Sequence, residues 1–171
     1  VMKLKSCLVV PEGFINECLA LFKFSLSYAQ QNKDQKFIWR LHPILNFRKL
    51  QRYSDIFKKI PNNIYLSKQS LADDIKKCDC VLYRGSTAVI DAINKGLKPI
   101  YFKQSFDELS IDPIYQQLDR DIVSNQVELG RSLNKVGDCD ATNRLINFAQ
   151  NFYTPLNVEC FYELCIDNDK G

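Results

Sequence analysis

Arg84-Gly85-Ser86-Thr87 gathers residue types suited to holding an anion. The glycine permits a tight turn and close backbone approach. The two hydroxyls fall where a helical run begins, so they are placed to cap its free N–H groups. Those N–H groups, with the positive end of the helix dipole, bind phosphate, and Arg84 adds a fixed cation. Asp91 lies four residues beyond Thr87, one helical turn on, where it serves either a ribose hydroxyl or only solvent. Two further stretches carry related chemistry. His42, the sole histidine, precedes Pro43 and follows Arg40 by two residues, a spacing that in a strand puts both side chains on one face. Glu12-Gly13 follows an apolar run. Each has a plainer reading: a turn and cap at 85–87, turn chemistry at 12–13, a strand-end histidine with a backbone partner at 42. There is no complete dinucleotide fingerprint, Walker A lysine or nucleophile elbow.

The elements that must position these residues alternate in type. Apolar runs at 4–10, 37–41, 64–66, 80–83 and 100–102 read as strands, with a short sixth at 122–123. Ile15, Leu19, Phe22, Leu26 and Ala29 recur at helical spacing, as do Phe47, Leu50, Tyr53 and Phe57. Ser70 with Asp73 is a capping-box signature for a third helix. A fourth helix carries Val89, Ala92 and Ile93 and stops at Gly96, and C-terminal helices are expected within about 125–166. The stretch 107–119 reads as loop with some helix. Phe22, Phe24, Trp39 and Phe57 read as core. Alternating strands and helices predict a doubly wound, Rossmann-like α/β domain over 1–171, its parallel sheet of five to six strands ordered 3-2-1-4-5 with helices on both faces. In that order ligands bind beyond the carboxyl ends of strands 1 and 4, where the winding reverses. The loops at 11–13, 40–43 and 84–87 then converge on one crevice.

Composition sets outer bounds. The chain is 46% hydrophobic and 25% charged, as in a globular domain with a real core. A formal net charge of +3 is nearly balanced and gives no reason to expect a nucleic acid partner. No apolar run approaches the roughly 20 residues of a membrane helix. Seven cysteines, odd in number and scattered through apolar stretches, read as free buried thiols in a reducing compartment. With one histidine and a one-residue gap between Cys78 and Cys80, no metal site is expected. The start at Val1, close to a strand, reads as part of a longer protein.

Leu41-His42-Pro43, Asn63-Ile64-Tyr65-Leu66-Ser67 and RGSTAVIDAINKGLKPIYF (84–102) together resemble the carboxyl-terminal, donor-binding half of a GT-B fold glycosyltransferase. The likeness is to bacterial surface and capsular polysaccharide enzymes with an His-Pro motif, the polysialyltransferase-like and Kdo-transferase-like group, and it covers about 4–102. The resemblance implies that His42, Ser86 and Thr87 hold the donor's nucleotide phosphate and that His42 is the catalytic proton or hydrogen-bond donor. Glu12, Gly13, Arg40, Arg84, Gly85 and Asp91 complete the expected nucleotide site. Many retaining GT-B enzymes carry two glutamates with seven residues between them. Tyr83 and Asp91 stand at those places here, which favours a CMP-sugar over UDP- or GDP-sugars as donor. No cofactor beyond the nucleotide sugar is expected. The implied partners are an amino-terminal domain carrying the acceptor's base and a glycan or lipid-linked acceptor. The implied location is cytoplasmic, peripheral at the inner membrane through other parts of the protein. Two other readings stand beside this one: a sugar-nucleotide 2-epimerase-like domain, and a non-catalytic flavodoxin-like signalling or scaffold domain. The second has Lys103 after strand 5 in its favour and only Glu12 as an acid after strand 1.

Overall fold

The computed structural model describes residues 6–104 and 111–153. Six strands form one parallel sheet: β1 (Ser6–Val10), β2 (Lys36–Trp39), β3 (Ile64–Leu66), β4 (Cys80–Tyr83), β5 (Lys98–Phe102) and β6 (Asp121–Val123). Their order is β3-β2-β1-β4-β5-β6, the expected one with the sixth strand added beside β5. β1 pairs with β2 on one side and β4 on the other, so the winding reverses between β1 and β4. Val10 stands beside Tyr83 at the carboxyl edge, which brings the loops that follow them together. Every residue of β4 is buried, as are the last four of β1 and of β5. That suits strands covered on both faces, and explains why they read as unbroken apolar runs.

Each face has its own core. Over one lie α1 (Ile15–Gln31) and α5 (Gln126–Asn134), where Phe22, Phe24, Trp39, Phe57 and Phe102 pack with Leu129 and Leu133. Over the other lie α3 (Leu71–Ile75), α4 (Ala88–Asn94) and α6 (Cys139–Gln150), with Val89, Ile93, Tyr101 and Leu145 inside. Ser70 caps α3 by accepting from Asp73 N–H at 3.2 Å, and its hydroxyl donates to Asp73 Oδ2 at 2.7 Å. Asn63 explains part of its own motif. Its side-chain amide donates to the carbonyls of Ala29, Asn32 and Gln35 at 3.0, 3.1 and 2.9 Å, tying β3 to the end of α1.

Four details depart from expectation. The helix expected over 47–57 is α2 (Phe47–Tyr53) followed by a 3-10 turn, Asp55–Lys58. Ser54 separates them with extended backbone (φ −160°, ψ 137°) and caps the second piece by accepting from Ile56 N–H. Second, β2 ends at Trp39, not at 41, because the chain then turns with Leu45 N–H donating to His42 O at 2.9 Å. Third, α6 begins at Cys139, capped by Asp138, and that cysteine is exposed; Cys7, Cys18, Cys78 and Cys80 are free and buried as expected. Fourth, of the stretch read as loop with some helix at 107–119, residues 107–110 lie outside the described residues and the rest forms turns pinned by buried Asp112, which accepts from Tyr83 Oη at 2.9 Å and pairs with Arg120 at 2.5 Å. The helix expected at 158–166, like residues 4–5 of the first strand, lies outside the described residues. Among the described residues no helix is long and apolar enough to cross a membrane.

Candidate functional site

A cleft of about 860 Å³ opens at the carboxyl edge of the sheet, where the loops after β1 and β4 meet. That volume suits a small organic ligand. Glu12, Gly13 and Phe14 come from the first loop, Arg84 and Gly85 from the second, and Glu17 from the first turn of α1. Ile44, Leu45, Lys49 and Tyr53, from the segment after β2, form the opposite wall, with Ile111 at the rim.

The floor is a buried charge cluster. Arg84 is 6% exposed and pairs with Glu17, while its Nη1 stands 3.9 Å from Glu12 Oε2. Glu12, 9% exposed, also accepts the backbone N–H of Gly85. The expected anion beside Arg84 is therefore already supplied from within by two carboxylates. Glu12 sits close because residue 85 is glycine: a Cβ there would lie 2.7 Å from Glu12 Oε1. Gly13 plays the same part toward the β2 loop, since a Cβ would lie 2.6 Å from Ile44 Cδ1 and 3.1 Å from His42 Nδ1. His42 thus stands beside the first loop, its Nδ1 accepting weakly from Ile44 N–H at 3.4 Å.

Arg40 goes elsewhere. Its guanidinium donates to Asp74 Oδ2 at 2.9 Å and Gln69 O at 2.6 Å, bracing the entry to α3. The strand alternation that put Arg40 and His42 together does not reach them, because β2 has already ended at Trp39. Ser86 is buried and Thr87 exposed at the start of α4. The expected cap is not made: Thr87, the N-cap residue, has helical backbone and no side-chain cap hydrogen bond. Its carbonyl instead accepts from Ile90 N–H at 2.9 Å in a tight first turn. Asp91 is exposed and lines a separate cavity between α3 and α4, with Leu71, Ile75 and Lys76. The structure brings Glu12, Gly13, His42, Arg84 and Gly85 together, sets Ser86 and Thr87 next to them in chain, and leaves Arg40 and Asp91 outside.

Burial holds the Cys18 thiol and the Tyr83 phenol in their protonated forms. Burial, and then the charge of Glu12, push the Cys18 thiol up to about 12. Tyr83 is raised as well, by burial first and then by Asp112. Among the described residues no group of three or more His, Cys, Asp or Glu is placed to hold a metal ion.

Glu17 and Lys49 lay outside the sequence argument, and Tyr53 entered it only in the apolar spacing of the second helix, whereas its side chain is exposed. The available signal was spacing: Lys49 and Tyr53 are four apart on a helix whose Leu50 and Phe47 face the core.

No protein-family model matches the chain, and no curated protein matches it in sequence. Its fold is nonetheless shared with solved structures. The spinosyn rhamnosyltransferase SpnG superposes with a TM-score of 0.63 at 12% identity, over 88% of this chain and 42% of its own. The wall teichoic acid polymerase TagF gives 0.57 at 13% identity, over 90% and 37%. A Listeria monocytogenes protein named as a putative UDP-N-acetylglucosamine 2-epimerase gives 0.55 at 15% identity, over 86% and 42%. The chain therefore spans about two fifths of each structure, and its fold is the Rossmann-like α/β fold of one domain of a GT-B glycosyltransferase.

Proposed function

We propose that this chain is the nucleotide-sugar-binding domain of a glycosyltransferase. The observation that carries the reading is the position of the cleft. It lies at the switch point between β1 and β4, on a fold shared with sugar-nucleotide enzymes, where doubly wound domains take their ligands. SpnG has also been solved with thymidine diphosphate. In the proposed mechanism His42 donates a hydrogen bond or a proton to the departing phosphate. The Ser86-Thr87 turn supplies hydroxyl and backbone donors to the same oxygens, an electrostatic role that needs no metal. Arg84 and Glu12 act by holding the loop after β4 in place. The base that activates the acceptor belongs to the other half of the bilobal enzyme. By the His-Pro resemblance, the product is a cell-surface polysaccharide made from a CMP-sugar on a glycan or lipid-linked acceptor, at the cytoplasmic side of the inner membrane.

Half a cleft should bind weakly, with Kd on the order of 0.1–1 mM. At about 10 mM ligand this stabilises the domain by roughly 1.4–2.7 kcal/mol, or about 3–10 °C in Tm for a domain of this size. Thermal melts with CMP, UDP and GDP check this; no rise with any of the three counts against the reading. The Listeria structure keeps the epimerase reading alongside it. Release of a 2-epimerised sugar from UDP-N-acetylglucosamine by the whole protein would favour that reading instead.

A further inference from the structure

Among the described residues four charged side chains line the cleft: Glu12, Glu17, Arg84 and Lys49. The first three form the floor and sum to a single negative charge, with the Gly85 N–H already given to Glu12. A phosphate approaching that floor meets two carboxylates already held on buried Arg84. Lys49 stands on the other wall. It is exposed, and among the described residues it makes no hydrogen bond or ion pair. Its helix, FRKLQRY, adds Arg48 and Arg52 and contains no acid.

That helix is fixed in place. Leu50 is fully buried, Phe47 packs edge-on against Phe57 with centroids 5.1 Å apart, and Asn46 caps the first turn by accepting from Arg48 N–H at 2.8 Å. One turn beyond Lys49 on the same helix, exposed Tyr53 also lines the cleft, as do exposed Phe14 and Ile44. A cation beside flat and apolar surfaces suits a ligand with an anionic end and a flat, weakly polar end.

We propose that Lys49 is the cleft's phosphate-binding cation, and that Tyr53 offers its ring to the nucleoside of the same ligand. The site would take a nucleoside mono- or diphosphate along the α2 wall, not one centred on Arg84. This rests on the nucleotide-binding reading above and goes beyond it by moving the charge contact to a residue outside the three loops.

The test compares the 171-residue chain with Lys49→Gln and Lys49→Arg, titrated with CMP, UDP and GDP and followed by NMR at low salt. A charge-assisted phosphate contact predicts that Lys49→Gln weakens the preferred nucleotide about tenfold or more, while Lys49→Arg stays within about threefold of the parent. The parent's affinity should also fall more steeply with salt than that of Lys49→Gln. Lys49 is exposed, so both variants should keep the parent's amide spectrum away from α2. If the parent binds a nucleotide and Lys49→Gln binds it equally well, Lys49 is a solvated lysine and this inference falls while the nucleotide reading stands. Equal losses in both variants would show that packing, not charge, was removed, and would also overturn it. A parent that binds none of the three nucleotides overturns both.

Discussion

Arg84→Ala is expected to destabilise the domain by about 3 kcal/mol, the lower end of the range for breaking a buried ion pair. The substitution leaves Glu12 and Glu17 facing each other at the end of the sheet without their common cation. The lower end applies because the Glu17 side chain is 31% exposed and water screens part of its charge. Urea denaturation would show the loss as a lower midpoint at unchanged slope. Adding Glu17→Gln to Arg84→Ala should recover part of it, because one of the two stranded charges is then gone. The opposite pattern, full stability with nucleotide binding abolished, would make Arg84 a direct phosphate ligand and return the site to the β4 loop.

Trp39→Ala should cost about 3–5 kcal/mol, the usual range for truncating a large buried aromatic. Trp39 is fully buried, stacks on Phe22 with centroids 4.3 Å apart and 6° between planes, and meets Phe57 edge-on at 6.1 Å. Its indole N–H donates to Ser25 Oγ at 2.9 Å, so truncation also leaves a buried hydroxyl with one partner fewer. Trp39→Phe keeps a ring against Phe22 and loses the N–H, and should cost about 1–3 kcal/mol. Thermal or urea unfolding followed by circular dichroism measures both. A loss under 1 kcal/mol in Trp39→Ala would mean that this face of the sheet is not packed around Trp39.

These two residues show what was legible in the sequence. Trp39 sits in an apolar run beside helices with an apolar stripe, and burial follows from that pattern alone. The strand order follows in the same way: unbroken apolar runs mean strands covered on both faces, and alternation with helices makes them parallel. Arg84 could be placed at a strand end but not paired. Its partner Glu17 is far away in sequence and becomes a neighbour only when β1 and β4 lie side by side. Arg40 and His42 were joined by strand periodicity across a point where the strand had stopped. Thr87 has the right type for a cap, but its backbone is already helical, and a cap residue needs extended backbone to turn its side chain back onto the N–H groups. Asp91 shows the limit of helical spacing: it places a residue on a helix face without saying what that face meets.

The central claim is that a nucleotide occupies the cleft between the β1 and β4 loops and the α2 wall. The most direct measurement is an amide and imidazole NMR titration of the 171-residue chain with CMP, UDP and GDP up to several millimolar. The account predicts saturable shifts at Gly13, His42, Lys49, Tyr53 and 84–87, one base preferred over the other two, and no shift at Asp91 in its separate cavity. Shifts centred on Asp91, Leu71 and Ile75, or no shift with any nucleotide, would contradict it.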